Sequence, residues 1–499
     1  MKPLPWPSLI LTAALVLPAS PSVRAQDLPA RLTSLTRQEV EASLGSEWYG
    51  VYMLEKKAGF ARFQLSAGAD PKLAGYVATL QLTLPIVVAG ARQEMRVAQT
   101  LEFDGEPPFA LRRATQAQTG RNDDKVTQLT RKDGGFEVVR TAGGITSRRQ
   151  LGPLDYTLAD VVTPAVWLRR GPKVGDRITS RTIDFDKLQL DPEVRKLLAS
   201  KTSVAEGVKV AYREVETALP LHKVAAVERY NDKGRLLSGT LAAVIELRFE
   251  PEQQAKNIEY STDLFVLGMV KVDRPLGDAA RLTGLVLEAT GKEAEAIPAG
   301  PGQSVRRNES GTFTLRVSPA QAAPVKATDL EVADSLAETA DYPISDPKVR
   351  ALLKEALKGA ETPRDKVDRL VHFVAGYLTP DFQTRPRSLA QLLEVKKGAC
   401  TEFALLFTTL ARAAGIPARV VIGFVYMGDD QRAFGPHAWN EVVLDGVWVP
   451  VDASWNETAI NATHVRCGVS KPGELAGLAK FLGTFGKLSF RVVEVTRRP

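Results

Sequence analysis

The sequence predicts an α+β protein in which a large β-rich N-terminal part precedes a C-terminal domain built from a cysteine-bearing helix and an antiparallel sheet. Two observations favour this fold class. Strand-like segments separated by turn residues follow one another from about residue 48 to residue 317, without the regularly spaced helices that βαβ units require. Helix-period apolar patterns begin near residue 343, and strand-like runs return from residue 437 onward.

The composition is that of an ordinary soluble globular protein. The 499 residues are 44% hydrophobic and 25% charged, and this length suits about three domains. The formal net charge is +7, or 7 − 2 = +5 without Lys2 and Arg24, and the basic residues are scattered along the chain. Scattered basic residues are typical of a solvated surface, and since no nucleic-acid motif is present we expect no nucleic-acid partner.

Residues 1–25 have the pattern of a cleavable export signal. Lys2 supplies a basic start, residues 9–17 form an apolar run, and Ala25 ends a small-residue cleavage site. We therefore expect cleavage after Ala25 and a periplasmic or secreted protein. The apolar run is too short to span a bilayer comfortably, and no later stretch is apolar enough, so we expect no transmembrane segment in the mature chain.

Between the leader and the helices, the chain divides into three predicted parts. These are a β-rich N-terminal domain at 26–190, a second β-rich region at 191–317 and a linker at 318–342. The first contains consecutive strand-like segments, such as 49–54, whose spacing is typical of a meander or a half-barrel. The segment 262–272 in the second is also expected to be a strand. Neither region carries a recognisable chemical motif.

Three helices are predicted at the start of the C-terminal domain, residues 343–499. Asp346 and Thr362 each precede a proline, which is a typical capped helix start. Ser388 and Gln391 form a capping-box pattern for a third, short helix. His372 lies on the second helix, and we interpret it as a surface or boundary residue.

The next helix carries the most informative residue, Cys400. Gly398 interrupts the preceding segment, and Gly415 and Pro417 form a C-terminal stop signal. Cys400 therefore lies in the first turn, where unpaired backbone amides and the positive end of the helix dipole favour a thiolate. One face of this helix is apolar: Phe403, Leu406, Phe407, Leu410, Ala411 and Ala414.

A predicted β-hairpin then brings a histidine and an aspartate together. Asp445 and Gly446 are a type I′ turn signal between two strand-like runs. If these two residues form the loop, Trp439 lies opposite Asp452, and His437 and Asp452 lie diagonally on the same face. A carboxylate in that position holds the imidazole in one tautomer and supports its positive charge.

Four linked motifs in this region resemble the transglutaminase-like superfamily. They are GACTEF at 398–403, LARAAGIPARVVIG at 410–423, HAWNEV at 437–442 and WVPVD at 448–452. The likeness covers residues 340–465, about a quarter of the chain. It implies a papain-like fold, and the arrangement of a leader, a β-rich region and a thiol domain resembles bacterial exported proteins of this family.

By motif position, the resemblance implies a nucleophile Cys400, a base His437 and an orienting acid Asp452. It also implies that the oxyanion is held by the backbone amide of Cys400 and a second donor upstream, for which Tyr377 and Gln383 are candidates. The family often has a proline after the aspartate, where this chain has alanine, a difference that we expect to affect only a turn. Trp439 is a candidate wall of a substrate channel, although packing beneath the hairpin is an equally good interpretation.

The implied reaction is acyl transfer through a thioester on Cys400, without a cofactor. The substrate would be a protein or peptide with a side-chain or backbone amide. Water as the acceptor makes the enzyme a peptidase or amidase, and a primary amine makes it a transamidase; the sequence leaves both open. A catalytically silent envelope protein that uses the fold as a binding or scaffold module is the alternative.

The other cysteine and histidines add no further site. Cys400 and Cys467 are too few for a disulfide framework, and we interpret Cys467 as a buried thiol rather than a partner of Cys400. His222 and His464 lack partners in any motif. No His-x-x-x-His or Cys-x-x-Cys spacing occurs, so we predict no metal site.

Overall fold

The computed structural model describes residues 28–498, except for 54, 69–74, 89–90, 120–123, 143–144, 206–207, 221–223, 242–244, 259–262, 340, 382–388 and 471–480. The predicted leader and the predicted positions His222, Gln383 and Ser388 therefore lie outside the described residues. The described chain forms two compact units, which comprise nearly all of 28–262 and residues 263–498. The boundaries predicted from the sequence remain predictions.

The first unit contains one 14-stranded sheet. Strands β1 to β8 form one meander and β9 to β14 another, and the two meanders join where β1 pairs antiparallel with β14. Its helices are α1 (Arg37–Glu41), α2 (Leu158–Arg169) and α3 (Glu252–Lys256). The strands are β1 Gly45–Met53, β2 Lys56–Ala67, β3 Gly75–Val88, β4 Ala91–Asp104, β5 Leu111–Thr119, β6 Lys125–Lys132, β7 Gly135–Ala142, β8 Ile145–Leu151, β9 Arg177–Asp184, β10 Gln189–Ala205, β11 Val208–Leu219, β12 Val224–Tyr230, β13 Leu236–Leu241 and β14 Ile245–Glu250.

Period-2 alternation explains why these segments form a sheet with a buried face. In β2, Ala61, Phe63 and Leu65 are buried, whereas the residues between them are partly exposed. They belong to one hydrophobic core that also includes Leu158 and Val162 of α2. Full burial of a side chain such as Phe63 stabilises the fold by about 1.5–3 kcal/mol, so the shared core holds the long sheet together.

The second unit combines helices with two larger sheets. Its helices are α4 Leu264–Leu267, α5 Asp329–Leu336, α6 Pro347–Ala356, α7 Pro363–Tyr377, α8 Leu389–Val395 and α9 Cys400–Ala413. Its strands are β15 Val270–Lys271, β16 Leu282–Thr290, β17 Gln303–Arg307, β18 Phe313–Val317, β19 Thr379–Pro380, β20 Lys397–Gly398, β21 Ala418–Tyr426, β22 Ala433–Leu444, β23 Val447–Val451, β24 His464–Ser470 and β25 Ser489–Arg497.

Two of the sheets organise this unit. One has the order β15-β22-β21-β24, with β23 paired to β22, and the other has the order β17-β18-β16-β25. The predicted strand at 262–272 is wrong over its first half, because Asp263 Oδ1 accepts hydrogen bonds from the backbone amides of Phe265 and Val266 and so starts helix α4. Part of the predicted linker at 318–342 forms helix α5.

Helix α9 packs on the first of these sheets through an apolar face and one buried polar contact. Phe403, Leu406, Phe407 and Leu410 are all buried, as the sequence predicts. Asn440 of β22 is fully buried and donates from Nδ2 to the Ala404 carbonyl at 3.1 Å and to Thr408 Oγ1 at 2.8 Å. A cysteine-bearing helix on an antiparallel sheet, preceded by a β-rich unit, confirms the predicted α+β class.

Across the described residues, no helix has both the length and the apolar character needed to cross a membrane.

Candidate active site

Cys400 is the first residue of helix α9, where the sequence predicts it, and its side chain is half-buried. The start of the helix is fixed by Glu402, which is 4% exposed and accepts hydrogen bonds from the Ala399 amide at 2.9 Å and Thr401 Oγ1 at 3.0 Å. A Cβ at Gly398 would lie 2.4 Å from Glu402 Cβ. Position 398 therefore requires glycine so that the chain can turn into the helix beside Cys400.

The hairpin has the predicted turn and register. Asp445 and Gly446 both have positive φ, 50° and 76°, as a type I′ turn requires. β22 and β23 pair from Leu444 opposite Val447 to Asn440 opposite Val451. The next residue of the second strand, Asp452, instead pairs with Glu457 in an isolated bridge, which ends the hairpin at the site.

His437 and Asp452 form a buried pair. His437 Nε2 lies 2.7 Å from Asp452 Oδ2, and the two residues are 8% and 1% exposed. The Cys400 thiol also interacts with the His437 side chain and contributes to raising its pKa. The structure thus brings together all three residues to which the resemblance assigns catalytic roles.

The electrostatics of the pair favour charged partners. Burial alone would lower the pKa of His437, but the charge and hydrogen bond of Asp452, with a smaller contribution from Cys400, raise it to about 10. Burial alone would raise the pKa of Asp452, but the hydrogen bonds and charges of His437 and His464 hold it well below its usual range. The stable form of the pair at neutral pH is therefore imidazolium and carboxylate.

The other carboxylate oxygen of Asp452 is held by the turn that follows it. Oδ1 accepts hydrogen bonds from the Ser454 amide at 2.8 Å, Ser454 Oγ at 2.7 Å and the Trp455 amide at 3.3 Å. Ser454 and the Trp455 amide therefore hold the Asp452 carboxylate in place. The expectation that the alanine at position 453 affects only a turn stays a prediction.

Two residues of the site are missed by sequence reasoning. The prediction that His464 lacks a partner is wrong, because His464 Nε2 lies 3.3 Å from Asp452 Oδ2. Trp455 is 38% exposed, and its ring centroid lies 5.4 Å from that of His437 and 5.8 Å from that of His464. A histidine on a distant strand and a tryptophan in a turn carry no local signal of such contacts.

Tyr377 and Trp439, the candidate oxyanion donor and the candidate channel wall, both pack against neighbouring side chains. Tyr377 ends helix α7, with its ring centroid 5.5 Å from that of Phe373 and 4.5 Å from Lys396 Nζ. Trp439 is 2% exposed, and its ring centroid lies 6.1 Å from that of His437 and 5.3 Å from that of His464. These contacts make Trp439 part of the packing around the histidines.

The cysteines and metal-ligand groups of the described chain add one observation each. Cys400 and Cys467 are two separate thiols, and Cys467 is buried on β24. His437, Asp452 and His464 offer donor atoms within 4.8 Å of one another. Because one Asp452 oxygen is at hydrogen-bond distance from both rings, a hydrogen-bonded network accounts for this grouping without a metal ion.

His372 is exposed on α7, as predicted, and its Nδ1 lies 2.7 Å from Asn456 Oδ1.

Comparison with known proteins points to one family for the region around this site. Residues 350–453 match the family model of the transglutaminase-like superfamily. Mouse (Mus musculus) kyphoscoliosis peptidase is 23% identical over 146 residues, which cover 27% of this chain and 22% of that protein. The chain therefore matches less than a quarter of the length of this curated relative.

Solved structures give weaker similarities. A candidate cysteine protease from Cytophaga hutchinsonii is 16% identical and covers 46% of this chain and 86% of its own, with a TM-score of 0.25. A candidate protease from Parabacteroides distasonis is 12% identical and covers 68% of this chain and 69% of its own, with a TM-score of 0.19. At TM-scores this low, these alignments carry no weight beyond the family match.

Proposed function

Because residues 350–453 form a transglutaminase-like domain, we propose that the protein is a thiol acyl-transfer enzyme that acts on amide bonds through a thioester on Cys400. The observation that carries this proposal is the position of His437, whose side chain interacts with the Cys400 thiol and is hydrogen-bonded to the Asp452 carboxylate. This is the arrangement that an activated thiol needs: a nucleophile, an acid–base group and an orienting acid.

In the proposed reaction, the Cys400 thiolate attacks the carbonyl carbon of an amide. The His437 imidazolium then donates its proton to the departing amine nitrogen as the C–N bond breaks, which leaves a thioester and a neutral imidazole. An acceptor attacks the thioester, His437 takes the acceptor's proton, and the Cys400 thiolate is restored. Asp452 stays ionised throughout and stabilises the imidazolium.

The tetrahedral intermediate needs donors for its oxyanion. The backbone amide of Cys400 lies at the first position of helix α9, where no intrahelical carbonyl is available to it. A second donor is assigned to Tyr377 or Gln383, on the segment upstream of the nucleophile. This assignment rests on the resemblance to papain-like enzymes and is part of the proposal.

The acceptor decides between hydrolysis and transamidation. The mouse relative is named a peptidase, so hydrolysis is one outcome. Transfer to a primary amine follows from the same thioester. The experiment is to incubate a glutamine-containing protein with wild type or Cys400→Ala, with and without a labelled primary amine, and to measure intact masses.

Incorporation of the amine that requires Cys400 establishes a transamidase, and cleavage or one-dalton deamidation that requires Cys400 establishes a hydrolase. If Cys400→Ala matches wild type in a reaction that wild type performs, the proposed nucleophile is wrong. His437→Ala is the matched variant that keeps the thiol and removes the acid–base group. We expect it to lose the same reaction.

We also propose that the enzyme is exported, with cleavage after Ala25. The support is the sequence pattern of residues 1–25, a basic start followed by an apolar run and a small-residue site. N-terminal sequencing of the protein recovered from a periplasmic or culture fraction tests this. A protein that stays in the cytoplasm and begins at Met1 would contradict it.

A further inference from the structure

His464 is a second histidine on the carboxylate of Asp452. It is the first residue of β24 and is 2% exposed. Its Nε2 lies 3.3 Å from the same Asp452 oxygen, Oδ2, that lies 2.7 Å from His437 Nε2. The catalytic mechanism proposed above does not use His464. His464 is therefore a buried imidazole that shares an oxygen of the orienting acid, Asp452, without a part in the proposed proton transfers.

Glu457, Asn461 and Thr463 form a chain of hydrogen bonds that leads to His464, and the Glu457 carboxylate fixes which atoms donate along it. Asn461 Nδ2 lies 2.8 Å from Glu457 Oε1, and its Oδ1 lies 2.9 Å from the Thr463 amide. The carboxylate on one side and the N–H on the other fix the orientation of the Asn461 amide. Asn461 Oδ1 is therefore an acceptor, and the Thr463 hydroxyl also donates to it.

This orientation determines what His464 offers at its second nitrogen. The single hydroxyl proton of Thr463 is used toward Asn461, so the lone pairs of Thr463 Oγ1 face His464 Nδ1 at 3.2 Å. His464 Nδ1 therefore donates to Thr463. On the other side of the ring, Nε2 faces the Asp452 carboxylate, which is also an acceptor. Both ring nitrogens of His464 thus face acceptors.

We infer that His464 is a positioning residue that donates hydrogen bonds from both ring nitrogens, to Thr463 and to Asp452, and so shares Asp452 with His437. This inference rests on the proposed function, because it assigns a role in the same site. With a Cys400 thiolate, a His437 imidazolium and an Asp452 carboxylate, the site would carry one net negative charge. A second imidazolium offsets that charge, and Glu457 gives it a further anionic partner beside Asp452.

The charged groups around His464 are consistent with a cation there. Asp452 faces it from the end of β23, and Glu457 interacts with it from the following turn. His437, on β22, opposes it as a like charge with a centroid distance of 5.8 Å, and the Cys400 thiol interacts with His437. Two carboxylates therefore favour the cation and one imidazolium opposes it.

A charged His464 has a consequence for the acid–base group. Its positive charge opposes the protonation of His437, so the pKa of His437 is lower than an unshared Asp452 would make it. An acid catalyst is most effective when its pKa lies near the working pH. By dividing the carboxylate between two rings, the site keeps His437 ionised yet able to release its proton to the leaving amine.

The first test needs no variant. The full-length protein is labelled with ¹⁵N-histidine, and the protonation of each ring nitrogen is read from its chemical shift at pH 7. We expect both nitrogens of His464 to be protonated. A single unprotonated nitrogen on His464 would overturn the inference, whatever the enzymatic activity.

The second test compares His464→Gln with His372→Gln, a matched change of an exposed histidine on α7. Glutamine still donates to Asp452 but carries no charge, so we expect the His437 titration to move upward by about one to two pH units, from Coulomb's law at this separation and an effective dielectric constant of about 20. His372→Gln should leave it unchanged. A His437 titration that does not move in His464→Gln contradicts the inference.

The two proposals fail separately in these measurements. The proposed function predicts that alkylation of Cys400 depends on His437, which is tested with His437→Ala and involves no change at position 464. If that dependence holds while the His437 titration ignores His464→Gln, only the role of His464 is wrong. If the dependence is absent, the proposed function fails.

Discussion

Asp452→Asn is the substitution that tests the electrostatic basis of the site most sharply. The side chain keeps its shape, and its Oδ1 still accepts from the Ser454 amide, which lies 2.8 Å away in the wild type. This contact places Nδ2 of the asparagine toward His437 and His464. An N–H donor then faces each Nε2, so each ring is driven to present a lone pair there and to lose its positive charge.

The size of the effect follows from the titration of His437. Its pKa is about 10 instead of the ordinary 6.5, with Asp452 as the main cause of the rise. At about 1.36 kcal/mol per pH unit, that difference corresponds to about 5 kcal/mol of preference for the imidazolium. Because the tautomer is also wrong in the variant, we expect the rate of the Cys400-dependent reaction to fall by about 10³- to 10⁴-fold.

NMR titration of the histidine rings measures this directly, since the chain has only 4 histidines. We expect His437 to titrate near 10 in the wild type and at or below its ordinary value of 6.5 in Asp452→Asn. Asp346→Asn, which changes a partly exposed helix cap, is the matched control and should leave the titration unchanged. A wild-type value near 6.5, or a value that persists near 10 in Asp452→Asn, would refute the reasoning.

Three further predictions concern stability and the surroundings of the pair. Because the pKa of His437 is raised in the folded state, its contribution to stability is fully present below pH 6.5 and is lost as the pH rises toward 10. Urea unfolding between pH 6 and pH 10 should show this loss of stability in the wild type and not in His437→Gln. Glu441 is fully buried, and its carboxylate lies 2.7 Å from Arg419 Nε and 2.9 Å from Arg466 Nε. Glu441→Gln should therefore lower the free energy of unfolding by about 3–5 kcal/mol, whereas Glu309→Gln, at an exposed position, should lower it by about 0.5 kcal/mol or less. Equal losses for the two variants in a denaturant titration would contradict this. Trp455→Ala should admit water to the His437–Asp452 pair and lower the pKa of His437, whereas Trp455→Phe should largely preserve that pKa. If an NMR titration gives the same His437 pKa for the two variants, Trp455 does not shield the pair from water.

The parts of the site that the sequence predicts are those fixed by local interactions. Gly398 and Gly415 bound the helix that begins at Cys400, and its apolar face follows from a spacing within one segment. The Asp445-Gly446 turn sets the register of a single hairpin, which brings Asp452 close to His437. Short-range rules were sufficient for these elements because no distant segment is needed to define them.

The fourth residue of the site depends on contacts that no local pattern encodes. β24 pairs with β21, and the register between them shifts between Ile422 and Gly423. Because side chains alternate across a strand, a one-residue shift decides which face His464 occupies. Its contact with Asp452 is set by this irregular pairing between segments about 40 residues apart. Sequence periodicity cannot reveal such a shift.

In the first unit, too, local sequence patterns predict the strands but not the pairing of strands that are distant in the sequence. The predicted strand-like segments recur as strands of a meander, since alternation and turn residues are local signals. The pairing of β1 with β14, which places Trp48 opposite Glu250, joins segments about 200 residues apart into one sheet. Loop closure over that distance is decided by burial of the shared core and leaves no signature in either strand alone.

Activation of the Cys400 thiolate by His437 can be measured as the rate at which iodoacetamide alkylates Cys400. The rate is measured by intact mass and peptide mapping at pH 6 in wild type, His437→Ala and a free cysteine peptide. We predict that wild-type Cys400 reacts at least about tenfold faster than the peptide thiol at this pH and that His437→Ala removes the difference. Equal rates for wild type, His437→Ala and the peptide would contradict the account.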